Sequence, residues 1–401
     1  MISIIVYCIG GFMGKVIKLV LTAVLIAIVI ASFASCDRVY DILDDLEYVI
    51  QIDDPNADKN TESDPLAEGE VRIDKVRYVP NESGSAYCVA GYVGKPTSLN
   101  IASEINGVKV TKIDDEAFSN LTYLESVTIP STVTYIGNNA FEKCLKLSNV
   151  TIPESVTYIG EEAFECCQSF TVIVIPNSVK SIGIGAFRGC TELTDIRISE
   201  GICEIYDGAF YGCVSIKGID IPNSVTRIGD NAFSECSSIT NIRIPLGVTA
   251  IGKNAFKGCE KLVTIDIPSS VQEIGSGAFY ECKSLKSVVI PYGVTVIEGD
   301  LFYGCSALES VTIPDTVTKI SYQSFRHCTS LTSLTIPENV ASIGSLVFAN
   351  CQKLDTLTVP KNATDIAEHA FCLSALSTVY FESEEPIDGL HLDNVTAYWG
   401  K

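Results

Sequence analysis

The chain has 401 residues, with 28 Lys and Arg against 49 Asp and Glu and a formal charge of −21. That sign excludes a non-specific nucleic-acid binder and a protein held on an anionic membrane by charge, since both need a positive surface. With 47% apolar residues the bulk of the chain buries a core, and only three His (His327, His369, His391) leave little material for His-based catalysis or metal binding.

Residues 13–18 read Met-Gly-Lys-Val-Ile-Lys, an apolar run follows over 19–33, and Ala34-Ser35-Cys36 closes it. A short positive region, an apolar core and small residues before a Cys predict an export signal over residues 1–36. Ala34-Ser35-Cys36 is similar to the bacterial lipobox, which implies that Cys36 becomes the lipidated first residue of the mature chain. Phe33 departs from the Leu, Val or Ile usual there. Met13 is an alternative start to Met1. An uncleaved signal anchor is the alternative to cleavage, since the run approaches the ~20 residues of a spanning helix. Either way the rest of the chain is expected to be exported, lipid-anchored at the cell surface or outer membrane, and directed away from the cytoplasm.

Residues 37–70 hold twelve acidic residues against Arg38 and Lys59, nearly half the net charge. With Pro55, Pro65 and Gly69 they read as a solvated, self-repelling tether, with an acidic signal or cation site as the alternative. Residues 71–112 are expected to form an N-terminal cap: Val76-Arg77-Tyr78-Val79 and Ala86-Tyr87-Cys88-Val89 flank Asn81-Glu82-Ser83-Gly84, a hairpin signature.

From there the chain repeats. Phe recurs every 23 residues from Phe118 to Phe371, twelve times without a slip. Ile stands five residues before each Phe, from Ile113 to Ile366. Cys stands three residues after it from Cys144 to Cys351, with Leu121 and Ser374 in the first and last units. Pro follows the Val-x-Ile segment from Pro130 to Pro360, Ser199 taking the one vacant slot. The alternation of Val127 and Ile129 predicts a strand with one buried face. The spacing of Ile136, Ala140, Phe141 and Cys144 predicts a short helical turn, capped by Asn138 or Asp230 in their units. A 23-residue coil cannot bury its own apolar face, so the twelve over 113–378 must stack as a solenoid. Residues 379–401 are read as a C-terminal cap, with Thr378-Val379-Tyr380-Phe381 and residues 394–399 as closing strands.

The unit Ile-Gly-x-x-Ala-Phe-x-x-Cys-x-x-Leu-x-x-Val-x-Ile-Pro resembles the BspA-type leucine-rich repeat of bacterial and protist surface proteins, over roughly residues 99–380. It has Pro after the strand and lacks the Asn of the common leucine-rich repeat turn. The resemblance implies an α/β repeat solenoid: a right-handed superhelix with a parallel β-sheet on the concave side and short helical turns on the convex side.

The ten in-register Cys are expected to be a reduced, apolar ladder, because stacked Cβ atoms ~4.8 Å apart exceed the ~3.8 Å a disulfide prefers. No zinc cluster is expected, none of the three His completing one, and no cofactor is implied. The outward positions of the strands are mostly small and hydroxylic. In the middle Asp195, Arg197, Asp220, Arg243 and Asp266 alternate in charge beside the gap of Gly218. They read either as a self-neutralising ladder or as a ligand-binding patch. Tyr211, Tyr280 and Tyr303 are placed on the convex side.

No phosphate loop, nucleophile elbow or Ser/His/Asp set stands outside the repeats, so the chain reads as non-enzymatic. Resemblance to BspA-like proteins implies adhesion, with host matrix proteins or other cell-surface proteins as partners. The alternative is a surface lipoprotein that captures glycan or another nutrient, which calls for exposed aromatic platforms on the sheet, and none is expected.

Overall fold

In this computed structural model the described residues are 66–387, 389–392 and 395–400. The export signal, Cys36 and the acidic stretch up to residue 65 lie outside them.

Each 23-residue unit contributes up to two short strands. The first carries the Val-x-Ile alternation. In Asn241–Arg243 and Thr264–Asp266 the middle Ile is buried and both flanks are exposed. These two strands pair in parallel, with Ile242 beside Ile265 and Arg243 beside Asp266. The second carries the Ile five residues before Phe: Arg227–Ile228 pairs with Ala250–Ile251, and that with Glu273–Ile274. Partners in all these pairs are 23 residues apart, so every side chain stands beside its own counterpart. A lone coil would leave its strand N–H groups unpaired and its apolar edge wet, and stacking removes both costs.

Two interior columns result. The repeat Phe rings from Phe118 to Phe371 are buried and stacked on their neighbours, with centroids 5.1–6.2 Å apart. The ten Cys from Cys144 to Cys351 are buried free thiols. Each donates its S–H to the carbonyl of the Phe 26 residues earlier, at 3.0–3.3 Å. Burial pushes the Cys213 and Cys351 thiols up to about 12, which keeps them un-ionised and inert.

The predicted helical turns are absent: the described residues contain no helix. The backbone shows why. Phe233 is flanked two residues before and two after by left-handed Asn231 (φ 55°) and Glu235 (φ 61°), and Phe141 likewise by Asn139 (φ 53°) and Lys143 (φ 56°). A left-handed residue every four positions cannot lie in a right-handed helix. The N–H groups at alternate positions leave the turn for the next coil: Asn231 donates to Lys253 O, Phe233 to Ala255 O and Glu235 to Lys257 O, at 2.6–2.8 Å. Intervening N–H groups close the turn on itself, Ser234 to Asn231 O at 3.1 Å and Cys236 to Phe233 O at 3.2 Å. The turns are thus a hydrogen-bonded stack of their own. Asn138 and Asp230 cap accordingly across coils rather than within them: their Oδ1 atoms accept from Glu161 N–H and Lys253 N–H, both at 2.9 Å.

The column of short Ile strands is broken twice, after Ser181–Ile182 and after Glu273–Ile274. Both breaks fall where the residue after the next Ile is large. At Gly160, Gly183, Gly229 and Gly252 that residue donates its N–H to the Ile carbonyl of the preceding coil at 2.7–2.9 Å. Ser321 and Ala367 keep the bond at 2.8 Å, whereas Tyr206 and Glu298 make none. A Cβ added at Gly183 would lie 2.3 Å from Glu161 N and 2.4 Å from Gly160 C. Side chains beyond a small one therefore push neighbouring coils apart. Asp114 keeps the bond too, but its acceptor is Val89 in the cap.

The predicted N-terminal hairpin forms. Val76–Pro80 pairs antiparallel with Tyr87–Tyr92, and Asn81 Oδ1 accepts from the N–H groups of Ser85 and Ala86 across the turn. Val71–Ile73 lines its outer side, and Tyr87–Tyr92 pairs in parallel with Val108–Ile113, which starts the solenoid. The acidic stretch does not remain a solvated tether to residue 70. Glu70 is buried, its carboxylate accepting from Arg77 at 2.9 and 3.2 Å, from Arg72 at 3.1 Å and from Ala67 N–H at 3.1 Å. The Arg77 guanidinium holds that carboxyl at about 2 against an ordinary 4.5, helped by Ala67 and Arg72 and opposed by burial. A depressed carboxyl contributes stability above its unfolded value and loses it as pH falls through the folded one. Glu70→Gln should therefore cost ~1–2 kcal/mol near neutrality, after screening by solvent around the guanidiniums. The gap to the parent should close as pH falls from 4.5 toward 2. Urea denaturation at the two pH extremes measures it, and a deficit independent of pH would assign Glu70 to packing alone.

At the other end Thr378–Phe381 and Thr396–Trp399 extend the sheet in parallel beyond Thr356–Val359. Trp399 stacks on Phe381 at 4.0 Å and covers the last core ring.

Candidate interaction surface

The strand alternation that buries Ile turns the neighbouring side chains outward, so the sheet presents two rows to solvent. The five charged residues singled out from the sequence lie in them, and all are exposed. Arg197 stands beside Asp220, Asp220 beside Arg243 and Arg243 beside Asp266, each one strand from the next. Asp195 occupies the second row, on the same strand as Arg197 and beside Val172. Gly218 leaves open space between its neighbours: a Cβ there would meet nothing closer than Asn241 Oδ1 at 3.5 Å. Val172 and Val174 border the patch, each 51% exposed, so it carries apolar as well as charged contact area. Among the described residues no ion pair joins these five. The second strand column differs, since Arg227 there pairs with Glu204 and approaches Asp207 at 3.7 Å and Asp230 at 3.9 Å. Register brings the sheet charges together without satisfying them on one another.

Of the aromatic residues predicted for the turn side, two stack on each other and all three carry a cation over the ring. Tyr280 and Tyr303 lie ring on ring at 4.5 Å, Lys257 sits over Tyr280, Arg326 over Tyr303 and Arg188 over Tyr211. His327 is half-buried with its ring edge against Tyr303. Burial, and then the neighbouring Glu162, lift the Glu165 carboxyl to about 7, which weakens its approach to Arg188 at 3.8 Å.

Two features escaped the sequence reading. Tyr380 lies beside Thr358 and Tyr398 beside Tyr380, so they continue the first sheet row. Their rings stack at 5.4 Å and are 37% and 44% exposed, an aromatic platform where none was expected. The alternation in Thr378-Val379-Tyr380-Phe381 carried that signal, because Val379 and Phe381 are the buried partners. The second is a convergence that no local spacing signals: His369, Cys372 and His391 offer ligand atoms all within 4.8 Å of one another.

Comparison with known proteins agrees with this architecture. A family model described as the BspA type leucine rich repeat region matches six copies, over residues 97–202, 159–286 and 272–388. No curated protein matches the chain. A crystal structure of a leucine-rich repeat protein from Bacteroides ovatus is 29% identical, covering 82% of this chain and 100% of that one, with a TM-score of 0.58. One from Eubacterium ventriosum is 23% identical over 80% of this chain and 97% of its own, with a TM-score of 0.52. The pneumococcal vaccine antigen PcpA is 18% identical over 84% of this chain and 94% of its own, with a TM-score of 0.53. The latter two likenesses are of fold alone. With the family model spanning most of the stacked coils, the chain belongs to the BspA-type leucine-rich repeat family.

Proposed function

We propose that this chain is a non-enzymatic cell-surface binding protein, exported by its N-terminal signal, anchored through lipid on Cys36, and using its sheet face to hold host matrix proteins or proteins of other cells. The observation that carries the reading is the exposed row Arg197, Asp220, Arg243 and Asp266, one strand apart and unpaired within the row. Charges fixed on a stacked scaffold and left to solvent give complementarity to a partner of alternating charge at no cost in refolding. The flanking Val172 and Val174 add apolar area that such a contact would bury.

The double variant Arg197→Ala, Arg243→Ala should lower capture of matrix or cell-surface proteins by about 10-fold, or ~1.4 kcal/mol, and leave the melting temperature unchanged. A pull-down of the purified chain against matrix proteins, cells and glycans reads this. Unchanged capture by the double variant would remove the patch from the function.

The stacked pair Tyr380 and Tyr398 favours a second reading, capture of a glycan, since exposed aromatic faces suit sugar rings as apolar platforms. Binding to glycans that survives the arginine substitutions and is lost in Tyr380→Ala would select it.

A further inference from the structure

The last coil breaks the Cys rule in a telling way. Ser374 takes the interior slot and donates its hydroxyl to Phe371 O at 2.6 Å. Cys372, one residue after Phe, stands instead in the outward column of the turns, which the interior thiols never reach. His369 opens the same turn, and Cys372 N–H closes it on His369 O at 3.2 Å. In the preceding unit the equivalent of His369 is Leu346, whose N–H bonds to the next coil at His369 O. Among the described residues the segment 389–392 takes the place of a further coil beside residue 369, tied by His391 N–H to Glu368 O at 3.0 Å.

That segment brings His391 onto His369. Their Nδ1 atoms are 3.0 Å apart, with the rings at 4.8 Å, and Cys372 Sγ is 3.5 Å from His369 Nδ1. Glu368 Oε1 lies 3.4 Å from His391 Nδ1. Cys372 Sγ also lies 4.0 Å from His391 O, so one sulfur and two imidazoles converge on one point. The set is matched by a cation. A thiolate and two neutral imidazoles are a borderline-soft donor set, suited to Zn²⁺ and poorly suited to the oxygen-seeking Ca²⁺ or Mg²⁺. Ligand atoms around a tetrahedral zinc sit ~3.3–3.6 Å apart, which follows from bond lengths of ~2.0–2.3 Å, and small rotations of these accessible side chains would reach that spacing.

We propose that His369, Cys372 and His391 bind zinc, with Glu368 or water as the fourth ligand, and that the ion staples the C-terminal cap to the last coil. The ligands come from two segments that only the folded end brings together, so binding energy becomes folding energy of the cap. Solenoid ends have one neighbour instead of two, which is where such a staple adds most.

The test is titration of the reduced, purified full chain with Co²⁺ and then Zn²⁺. One tight equivalent is expected, with a thiolate-to-cobalt charge-transfer band that Zn²⁺ bleaches. Cys372→Ser should abolish the band, and His391→Ala should weaken binding by at least ~100-fold, since even an outer partner is worth ~10–100-fold. Zn²⁺ should also slow proteolysis within 385–400 in the parent and not in either variant. Residues 37–70 carry no Cys or His, so metal held by their carboxylates would give no such band. Absence of the band in the parent, or its persistence in Cys372→Ser, overturns the proposal. Circular dichroism keeps loss of fold distinguishable from loss of a ligand.

Discussion

Phe233→Ala is expected to lower the unfolding free energy by ~3–5 kcal/mol, the range for deleting a fully buried ring. Phe233 is wholly buried and stacks on Phe210 and on Phe256, both at 5.6 Å. Two ring contacts vanish at once, each worth ~0.5–1.5 kcal/mol beyond its area. The cavity cannot close easily, because the coils are held at strand spacing on both sides and relaxation would break those bonds. The backbone of the same residue is tied as well: its N–H donates to Ala255 O, and its carbonyl accepts the thiol of Cys259 at 3.3 Å. In a chain stabilised by nearest neighbours, a weak middle coil also uncouples the two halves. Urea denaturation should therefore show a lower midpoint and a shallower or split transition. Phe233→Leu, which keeps most of the volume, should cost under ~1.5 kcal/mol. A loss in Phe233→Ala of under ~1 kcal/mol would mean that the column is not close-packed.

Gly183→Tyr should destabilise the chain by ~1–3 kcal/mol while leaving it folded. The clash is with backbone, since the Cβ would meet Glu161 N and Gly160 C and no flexible side chain could yield. The molecule already contains the outcome at the same slot one unit later. Tyr206 stands after Ile205, its N–H makes no bond to the preceding coil, and the ladder stops there. The variant should consequently lose the 2.9 Å bond from residue 183 N–H to Ile159 O, and amide exchange at that position should accelerate. The reverse change, Tyr206→Gly, should slow exchange at residue 206. Protection at residue 183 that is as strong as in the parent would show that breaks in the ladder have another cause.

A great deal followed from the period alone. Because Phe, Ile and Cys return every 23 residues, any parallel pairing in register must place like beside like, and Ile242 beside Ile265 or Arg243 beside Asp266 needed no further information. The hairpin around Asn81 and the closing strands at Thr378–Phe381 and Thr396–Trp399 were legible for a similar reason, since alternation and turn chemistry are local. The turns were not. The spacing of Ile136, Ala140, Phe141 and Cys144 fits a helical face, yet the same residues serve a turn whose alternate N–H groups bond to the next coil. Spacing reports which side chains are buried, not where the donors go.

What the chain determined by itself is the repeating unit, its register and its interior columns, because a fixed period leaves stacking only one alignment that buries every Phe. What the tertiary structure alone decided lies at the ends and across coils. It turned Asn138 from a cap of its own turn into a cap of the next, brought Tyr398 beside Tyr380, and carried His391 back onto His369 and Cys372. Those contacts join residues 18 to 23 positions apart through backbone bonds between neighbouring coils, which no local pattern encodes.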